Sequence, residues 1–321
     1  MGDPAPHIKL GASLLLGLAL FPGAVPAQQT AGTGRNDPGP EFNLRVDTTL
    51  VLIPVAVTDA LNRFVLGLQK EDFHLSEDGV EQAVAHYSGE DVPLSVGLVF
   101  DESGSMDYKM RTAQAAVIQF LKTMNTGDEA FLVEFSDSAR LSVKFTTATA
   151  DVQTALQNAK PGGLTALLDA IHMALREMKN AKNSRKAIVI VSDGGDNHSQ
   201  YNAAQIESLV READVQIYAM GVFDPLLSLL QAPEEISGPK LLSEIATQTG
   251  GRAFAAALSS DLPSVAARIA VELRNQYVLG YYPKNRTKDG KYRHVEVKIE
   301  QPHGVSPLKA HWRLGYYAPN E

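Results

Sequence analysis

The sequence predicts an α/β protein in which a doubly wound, mostly parallel sheet is inserted between two β-strand flanks that form a small β-sandwich. Two observations predict this architecture. In the middle of the chain, almost continuously apolar segments alternate with segments of helical period, which is typical of parallel strands buried on both faces. Short β patterns separated by turns occupy both ends, and neither end has enough strands to be stable alone, so we expect the ends to pair.

The N-terminal part of the 321-residue chain has the pattern of an exported protein. Residues 1–27 are predicted to be a signal peptide, because residues 10–21 are apolar but too short to span a bilayer comfortably and Ala27 ends a small-residue cleavage pattern. An uncleaved anchor stays an alternative, since Asp3 weakens the basic start. Residues 28–41, rich in Gly, Pro and Thr, are predicted to be a flexible linker.

The two β flanks are assigned to residues 42–90 and 276–321. In the first flank, a β-rich run covers residues 46–59, and Pro54 within it favours an edge position or a bulge. Further β patterns are centred on residues 64–66, 73–77 and 83–88. The second flank has β patterns at 276–282, 292–300 and 309–317, with a turn at Asp289-Gly290.

The α/β domain is assigned to residues 92–275. Its first strand is the apolar run Pro93–Phe100, which is followed by a polar, glycine-bearing loop and a helix from Met110 to Met124. The remaining strands are predicted at residues 130–135, 141–145, 187–192, 215–222 and 252–255, and a final helix at 262–274.

Oxygen-bearing side chains occur in three loops of this domain. Asp101, Ser103 and Ser105 come directly after the first strand, Thr165 lies at a helix start after a glycine-rich turn, and Asp193 follows the strand at 187–192. Carboxyl ends of parallel strands meet at one edge of an open sheet, so we expect these side chains to lie close together. Carboxylates and hydroxyls without imidazole or thiol suit Mg²⁺, with Mn²⁺ or Ca²⁺ able to substitute.

Three further carboxylates, Asp107, Asp169 and Asp196, lie in or beside the same loops. They are candidates for holding water around a cation or for orienting its ligands. A purely local role is an equal alternative, because Asp is an ordinary turn and cap residue; Asp107, for example, is expected to cap the helix that begins at Met110.

The order Asp-x-Ser-x-Ser, then threonine, then aspartate resembles the metal-dependent adhesion site of the von Willebrand factor type A family, over about residues 92–274. The resemblance implies a Rossmann-like domain in which Ser103 and Ser105 bind the cation directly and Thr165 binds directly or through water. Asp101 and Asp193 would act mostly through water. It also implies an open coordination position for an Asp or Glu of a protein partner.

The layout of the whole chain, from the signal-like start and the Val-Ala-Val-Thr-Asp run at 55–59 to the Gly-Tyr-Tyr-x-Pro-like end, resembles exported von Willebrand type A-related proteins of acidobacteria. This resemblance implies a secreted or periplasmic protein and does not imply an enzyme, so we expect a non-enzymatic protein. We also expect no transmembrane span in the mature chain. Zero cysteines exclude a disulfide framework, and a net charge of −8 argues against nonspecific nucleic-acid binding.

Two other functions stay open at this point. A serine hydrolase would use Ser103 as nucleophile with His172 or His198 as base, although the Gly-x-Ser-x-Gly motif is absent. A structural cell-envelope protein would use the cation only to stabilise its fold. The sequence leaves the oligomeric state and the identity of the protein partner undetermined.

Overall fold

The computed structural model describes residues 50–222, 233–256, 259–300 and 307–320. The predicted signal peptide, the linker and the start of the first flank lie outside these residues. The strands are β1 (Val51–Thr58), β2 (Phe73–Glu77), β3 (Val80–Gln82), β4 (Val84–Ser88), β5 (Leu94–Asp101), β6 (Glu129–Phe135), β7 (Ala139–Thr146), β8 (Arg185–Ser192), β9 (Gln216–Val222), β10 (Ala253–Ala256), β11 (Tyr277–Tyr281), β12 (Tyr292–Ile299), β13 (Lys309–Trp312) and β14 (Gly315–Tyr317). The α-helices are α1 (Met110–Leu121), α2 (Thr149–Asn158), α3 (Leu167–Glu177), α4 (Ala203–Glu212), α5 (Pro233–Gln248) and α6 (Leu262–Arg274).

The central sheet has six strands in the order β10-β9-β8-β5-β6-β7, and every neighbouring pair is parallel except β6 and β7. All eight residues of β5 are buried. Val96, Leu98 and Phe100 pack into one core with α1 and α6, whereas Val99 packs into a second core with α3. Apolar residues on both faces of a strand require helices on both sides, so the predicted doubly wound sheet is confirmed.

The two chain ends form one β-sandwich. One sheet has the order β13-β1-β11-β4 and the other β14-β12-β2-β3, with all neighbouring strands antiparallel, so each sheet combines strands from both flanks. Ile53 and Leu279 from the first sheet share a core with Leu75 and Val297 from the second. This core contains residues of both flanks, so neither flank could form it alone.

Pro54 lies in a strand that is internal in the sheet order, yet the residue sits at a local edge. It pairs with Val278 of β11 on one side, while β13 on the other side begins its pairing at Val55. Proline has no N–H to donate to a strand ladder, so it is tolerated where a second neighbour is missing. At Pro54, β1 therefore has a neighbouring strand on one side only, which agrees with the expected edge position.

Arginine side chains clamp the junction between the β-sandwich and the α/β domain. Arg185, at the start of β8, donates to the carbonyl oxygens of Leu273 and Glu90 at 3.2 Å each. Arg274, at the end of α6, pairs with Asp91 at 3.2 Å and with Asp128. Both connections between the two parts therefore leave the α/β domain beside the same arginines.

Among the described residues, no helix combines the length and the apolar character needed to cross a bilayer.

Candidate functional site

The predicted site loops meet where the order of strands reverses. β6 pairs with one edge of β5, and the chain later returns to place β8 along the opposite edge of β5. Asp101 is the last residue of β5, and Asp193 directly follows β8, which is hydrogen-bonded to β5 along its length. In open α/β sheets ligands bind at this topological switch point, outside the carboxyl ends of the strands.

The first loop folds back on the carboxylate of Asp101, whose side chain is fully buried. Its Oδ1 accepts a hydrogen bond from the backbone N–H of Ser103 at 2.8 Å, and its Oδ2 accepts one from the hydroxyl of Ser192 at 2.6 Å. The hydroxyls of Ser103 and Ser105 lie 3.0 Å apart. These contacts place the hydroxyls of the two serines side by side in the first loop and join this loop to the end of β8.

Backbone hydrogen bonds join the three loops. The N–H of Gly104 in the first loop donates to the carbonyl of Gly163 in the second at 3.1 Å. The N–H groups of Asn197 and His198 in the third loop both donate to the carbonyl of Thr165 at 3.0 Å. The structure therefore brings all three predicted loops together, with Thr165 buried in the middle loop at 5% exposure.

Lys109 is a part of the site that the sequence analysis missed. Its Nζ donates to Oδ2 of Asp193 at 3.0 Å, and the two side chains are 2% and 1% exposed. Burial alone disfavours the ammonium, but the negative charge of Asp193 and the hydrogen bond to it outweigh burial and raise the pKa of Lys109. The sequence signal is its position at the start of α1, where a lysine opposes the helix dipole, and this position does not identify the partner.

The pKa of Asp101 is raised from its ordinary value of 3.8 to about 7. Burial is the largest cause, and the nearby charge of Asp193 adds to it, while hydrogen bonds from Ser103 and Ser192 oppose it. Lys109 reduces the charge that Asp101 faces, because it neutralises the same Asp193. The site thus holds two buried carboxylates that repel each other in the absence of a further cation.

This pKa shift predicts a pH-dependent stability in the presence of EDTA. Because the folded-state pKa of Asp101 exceeds the unfolded value, its contribution to stability is present at acid pH and is lost as the pH rises towards 7. At about 1.4 kcal/mol per pKa unit, we expect wild type to lose about 3 kcal/mol relative to Asp101→Asn between about pH 5 and pH 8. Urea unfolding of both proteins across this range measures the difference. A constant difference contradicts the shift.

A second buried acidic pair adjoins the first loop and was also missed by the sequence analysis. Glu102 and Glu134 are each 3% exposed, and Arg140 Nη2 lies 2.7 Å from Oε2 of Glu102 and 3.0 Å from Oε2 of Glu134. Burial, followed by the charge of Glu134, raises the pKa of Glu102 to about 7. Because Oε1 of each glutamate is buried without a hydrogen-bond partner, the position of Arg140 is the main compensation for this acidic pair.

The three additional carboxylates have local roles or are exposed. Asp169 accepts hydrogen bonds from the backbone N–H groups of Gln200 and Tyr201 at 2.9 and 3.1 Å. Asp196 accepts a 2.5 Å hydrogen bond from Ser199 and a 3.3 Å bond from the N–H of Leu168 at the start of α3. Both carboxylates therefore fasten the third loop to α3.

The expectation that Asp107 caps the first helix is wrong. α1 begins after Lys109, no side-chain hydrogen bond caps it, and a short 3-10 helix at Gly104–Met106 precedes it. Asp107 is the residue that ends this short helix, and its side chain is exposed. The helix itself begins at Met110, as predicted.

The donor set fits a hard divalent cation. Ser103 and Ser105 present adjacent hydroxyls, and Asp101 and Asp193 present carboxylates on the two strands that flank the switch point. The described part of the chain contains no group of three or more His, Cys, Asp or Glu side chains placed to bind a metal. Hydroxyl oxygens of serine and threonine would therefore have to complete the ligand set, a chemistry that suits Mg²⁺ better than zinc.

The geometry gives Ser103 no catalytic base. Within the described ranges its hydroxyl has a hydrogen bond with Ser105 and none with a histidine. His172, one of the two candidate bases, packs against the tilted ring of Tyr201 with 4.2 Å between ring centroids, and His198 is exposed in the third loop. A nucleophilic serine needs a base within hydrogen-bond reach, so the arrangement does not support the serine hydrolase alternative.

A doubly wound domain with hydroxyl and carboxylate oxygens gathered at its switch point defines a class of α/β domains that bind ligands at the edge of the sheet. The family comparison agrees with this class: residues 96–195 match the model of the von Willebrand factor type A domain. This match lies entirely within the α/β domain. None of the curated proteins matches the chain.

Solved structures that are similar to part of this chain have low sequence identity to it. BatB from Bacteroides thetaiotaomicron has 17% identity and a TM-score of 0.45, covering 56% of this chain and 98% of its own. The vWF domain of the type V pili tip protein Mfa5 from Porphyromonas gingivalis has 15% identity and a TM-score of 0.47, covering 56% and 95%. Proximal thread matrix protein 1 from the mussel byssus has 18% identity and a TM-score of 0.49, covering 62% and 51%.

Proposed function

We propose that this protein is a non-enzymatic, divalent-cation-dependent protein-binding module of the adhesion type that acts outside the cytoplasm. The observation that carries the proposal is the meeting of Asp101, Ser103 and Ser105 with the loop of Asp193 at the switch point of the sheet. The signal-peptide pattern of residues 1–27 supports the part of the proposal that concerns export to the periplasm or the medium.

The proposed roles of the residues are those that the resemblance to the von Willebrand factor type A family implies. Ser103 and Ser105 would be direct ligands, Thr165 would bind directly or through water, and Asp101 and Asp193 would bind mostly through water. Neutral hydroxyl ligands leave most of the positive charge of a cation uncompensated. When bound, Mg²⁺ would supply an electrophilic coordination position that an Asp or Glu of a partner completes with a charge-assisted bond.

The surface around this position is apolar as well as polar. In the described part of the α/β domain, three large apolar side chains are exposed, namely Tyr108 at 55%, Leu164 at 46% and Val271 at 45%. Tyr108 follows the first loop, and Leu164 directly precedes Thr165 in the second. Two of the three exposed side chains therefore flank the candidate site, which favours a partner segment that carries its acidic residue next to an apolar one.

Peptide binding tests this proposal. We expect the protein to bind immobilised peptides with a Glu or Asp beside Leu or Phe in Mg²⁺, and to lose binding in EDTA or when the acidic residue becomes Gln or Asn. Leu164→Ser should weaken binding by roughly tenfold, the effect of losing about 1.4 kcal/mol of apolar contact. Val271→Ser removes an equally exposed side chain away from the site and should leave binding unchanged. Binding that is indifferent to EDTA contradicts the proposal.

A further inference from the structure

The ion pair between Lys109 and Asp193 gives one predicted cation ligand a positive partner from the chain itself. Nζ of Lys109 lies 3.0 Å from Oδ2 of Asp193, and neither side chain exceeds 2% exposure. Removing one partner of a buried ion pair leaves the other charge buried without compensation, which is costly. An incoming cation therefore meets a carboxylate that already has a cationic partner.

The two cations compete for the same negative charge. Asp101 and Asp193 are the two carboxylates of the candidate ligand set, and the ammonium of Lys109 neutralises one of their two charges. It also repels any further cation placed between the loops, and such repulsion is strong because the groups are shielded from water. Lys109 should therefore weaken the binding of a divalent cation.

The ammonium already lies near an aromatic ring while it holds Asp193. The ring centroid of Tyr108 lies 5.1 Å from Nζ of Lys109, within the range of a cation–π interaction, and the tyrosine is 55% exposed at the edge of the site. A lysine side chain has a long flexible stem, so an ammonium displaced from the carboxylate can turn outwards and keep its contact with this exposed ring. That movement would expose the ammonium to solvent.

We propose that Lys109 is an internal competitor of the divalent cation: its ammonium holds Asp193 until the cation binds and then turns outwards, keeping its contact with the ring of Tyr108. This inference rests on the proposed function, because it concerns the same cation site. It implies that the cation alone binds weakly. A partner's carboxylate adds the negative charge that Lys109 cancels, so cation and partner bind more tightly together than either does alone.

Calorimetric titration of the full chain with Mg²⁺ tests the competition. We expect Lys109→Gln to bind Mg²⁺ at least tenfold more tightly than wild type, and to have a lower melting temperature in EDTA because Asp193 loses its partner. Lys122→Gln is the matched control, since Lys122 is exposed at the other end of the same helix, and it should behave like wild type.

The outcomes separate the inference from the proposed function. If Lys109→Gln and wild type bind Mg²⁺ equally, or if the variant binds more weakly, the competition is refuted while the cation site of the proposed function stands. If neither protein binds Mg²⁺, the cation-dependent function fails and the role of Lys109 fails with it. Tighter binding by the variant supports both.

A measurement on wild type covers the case in which Lys109→Gln does not fold. Acetylation by a water-soluble amine reagent, followed by mass spectrometry, reports the accessibility of each lysine. We expect Lys109 to be protected in EDTA and to become reactive as Mg²⁺ is added, with the midpoint of the calorimetric titration, while Lys122 reacts equally throughout. Protection of Lys109 that persists at saturating Mg²⁺ refutes the displacement.

Discussion

We expect saturating Mg²⁺ to raise the melting temperature of the wild-type protein, and Asp101→Asn to abolish most of that rise. This is the first of the two largest effects that we predict. A ligand that binds only the folded state stabilises it by about 2.7 kcal/mol at a hundredfold excess over its dissociation constant, which corresponds to roughly 5 °C for a chain of this size. Asp101 links the first loop to Ser192 and lies at the centre of the predicted ligand set.

The control for this experiment is a carboxylate of the same domain far from the three loops. Asp151 is exposed in the first turn of α2, and Asp151→Asn should keep the full response to Mg²⁺. Differential scanning fluorimetry in EDTA and across a Mg²⁺ titration gives the comparison. An equal response of wild type and Asp101→Asn would show that any cation effect arises elsewhere on the protein.

The second large effect is expected from Gly238→Ala, which should destabilise the protein and weaken its Mg²⁺ response together. Gly238 in α5 packs directly on Gly194, the residue after Asp193, and a Cβ added at Gly238 would lie 2.5 Å from the carbonyl carbon of Gly194 and 2.7 Å from the carbonyl oxygen of Asp193. Backbone atoms cannot yield as side-chain ends do, so either α5 or the third loop has to shift. Overpacking of this kind costs about 1–3 kcal/mol.

Gly162→Ala is a suitable control for that variant, because no atom lies within 4 Å of a Cβ added at Gly162, although this residue also belongs to a site loop. Urea unfolding measures the stability of both variants, and calorimetry measures their Mg²⁺ affinity. If Gly238→Ala loses stability but keeps its Mg²⁺ affinity, the close contact serves the fold alone and α5 does not position the third loop.

The fold class was predictable because it depends on patterns that are local in the sequence. The run Pro93–Phe100 predicts a strand buried on both faces, and β5 spans Leu94–Asp101 with every residue buried. The final helix of the α/β domain was predicted at residues 262–274 and has those bounds. Apolar periodicity identifies such elements directly, because each residue's burial repeats with the geometry of its own helix or strand.

The site was predictable only in part. Topology alone indicates that the loops of Asp101 and Asp193 leave the same edge of the sheet, and the structure places them there. The direct bond between Lys109 and Asp193 joins residues that are 84 positions apart, and no local pattern encodes which charges meet across that distance. The pairing of Arg140 with Glu102 depends in the same way on how β6 and β7 lie beside the first loop.

The length of β5 sets the distance between the candidate site, where the proposed partner would bind, and the β-sandwich. The strand begins beside the arginine clamp at the junction and ends at Asp101, and its 8 residues at about 3.3 Å each span roughly 26 Å. β8 runs parallel beside it, from Arg185 at the clamp to Ser192 at the site. The candidate site therefore lies at the opposite end of these two strands from the sandwich, and force applied there by the proposed partner would pass along two adjacent parallel strands to the arginine clamp.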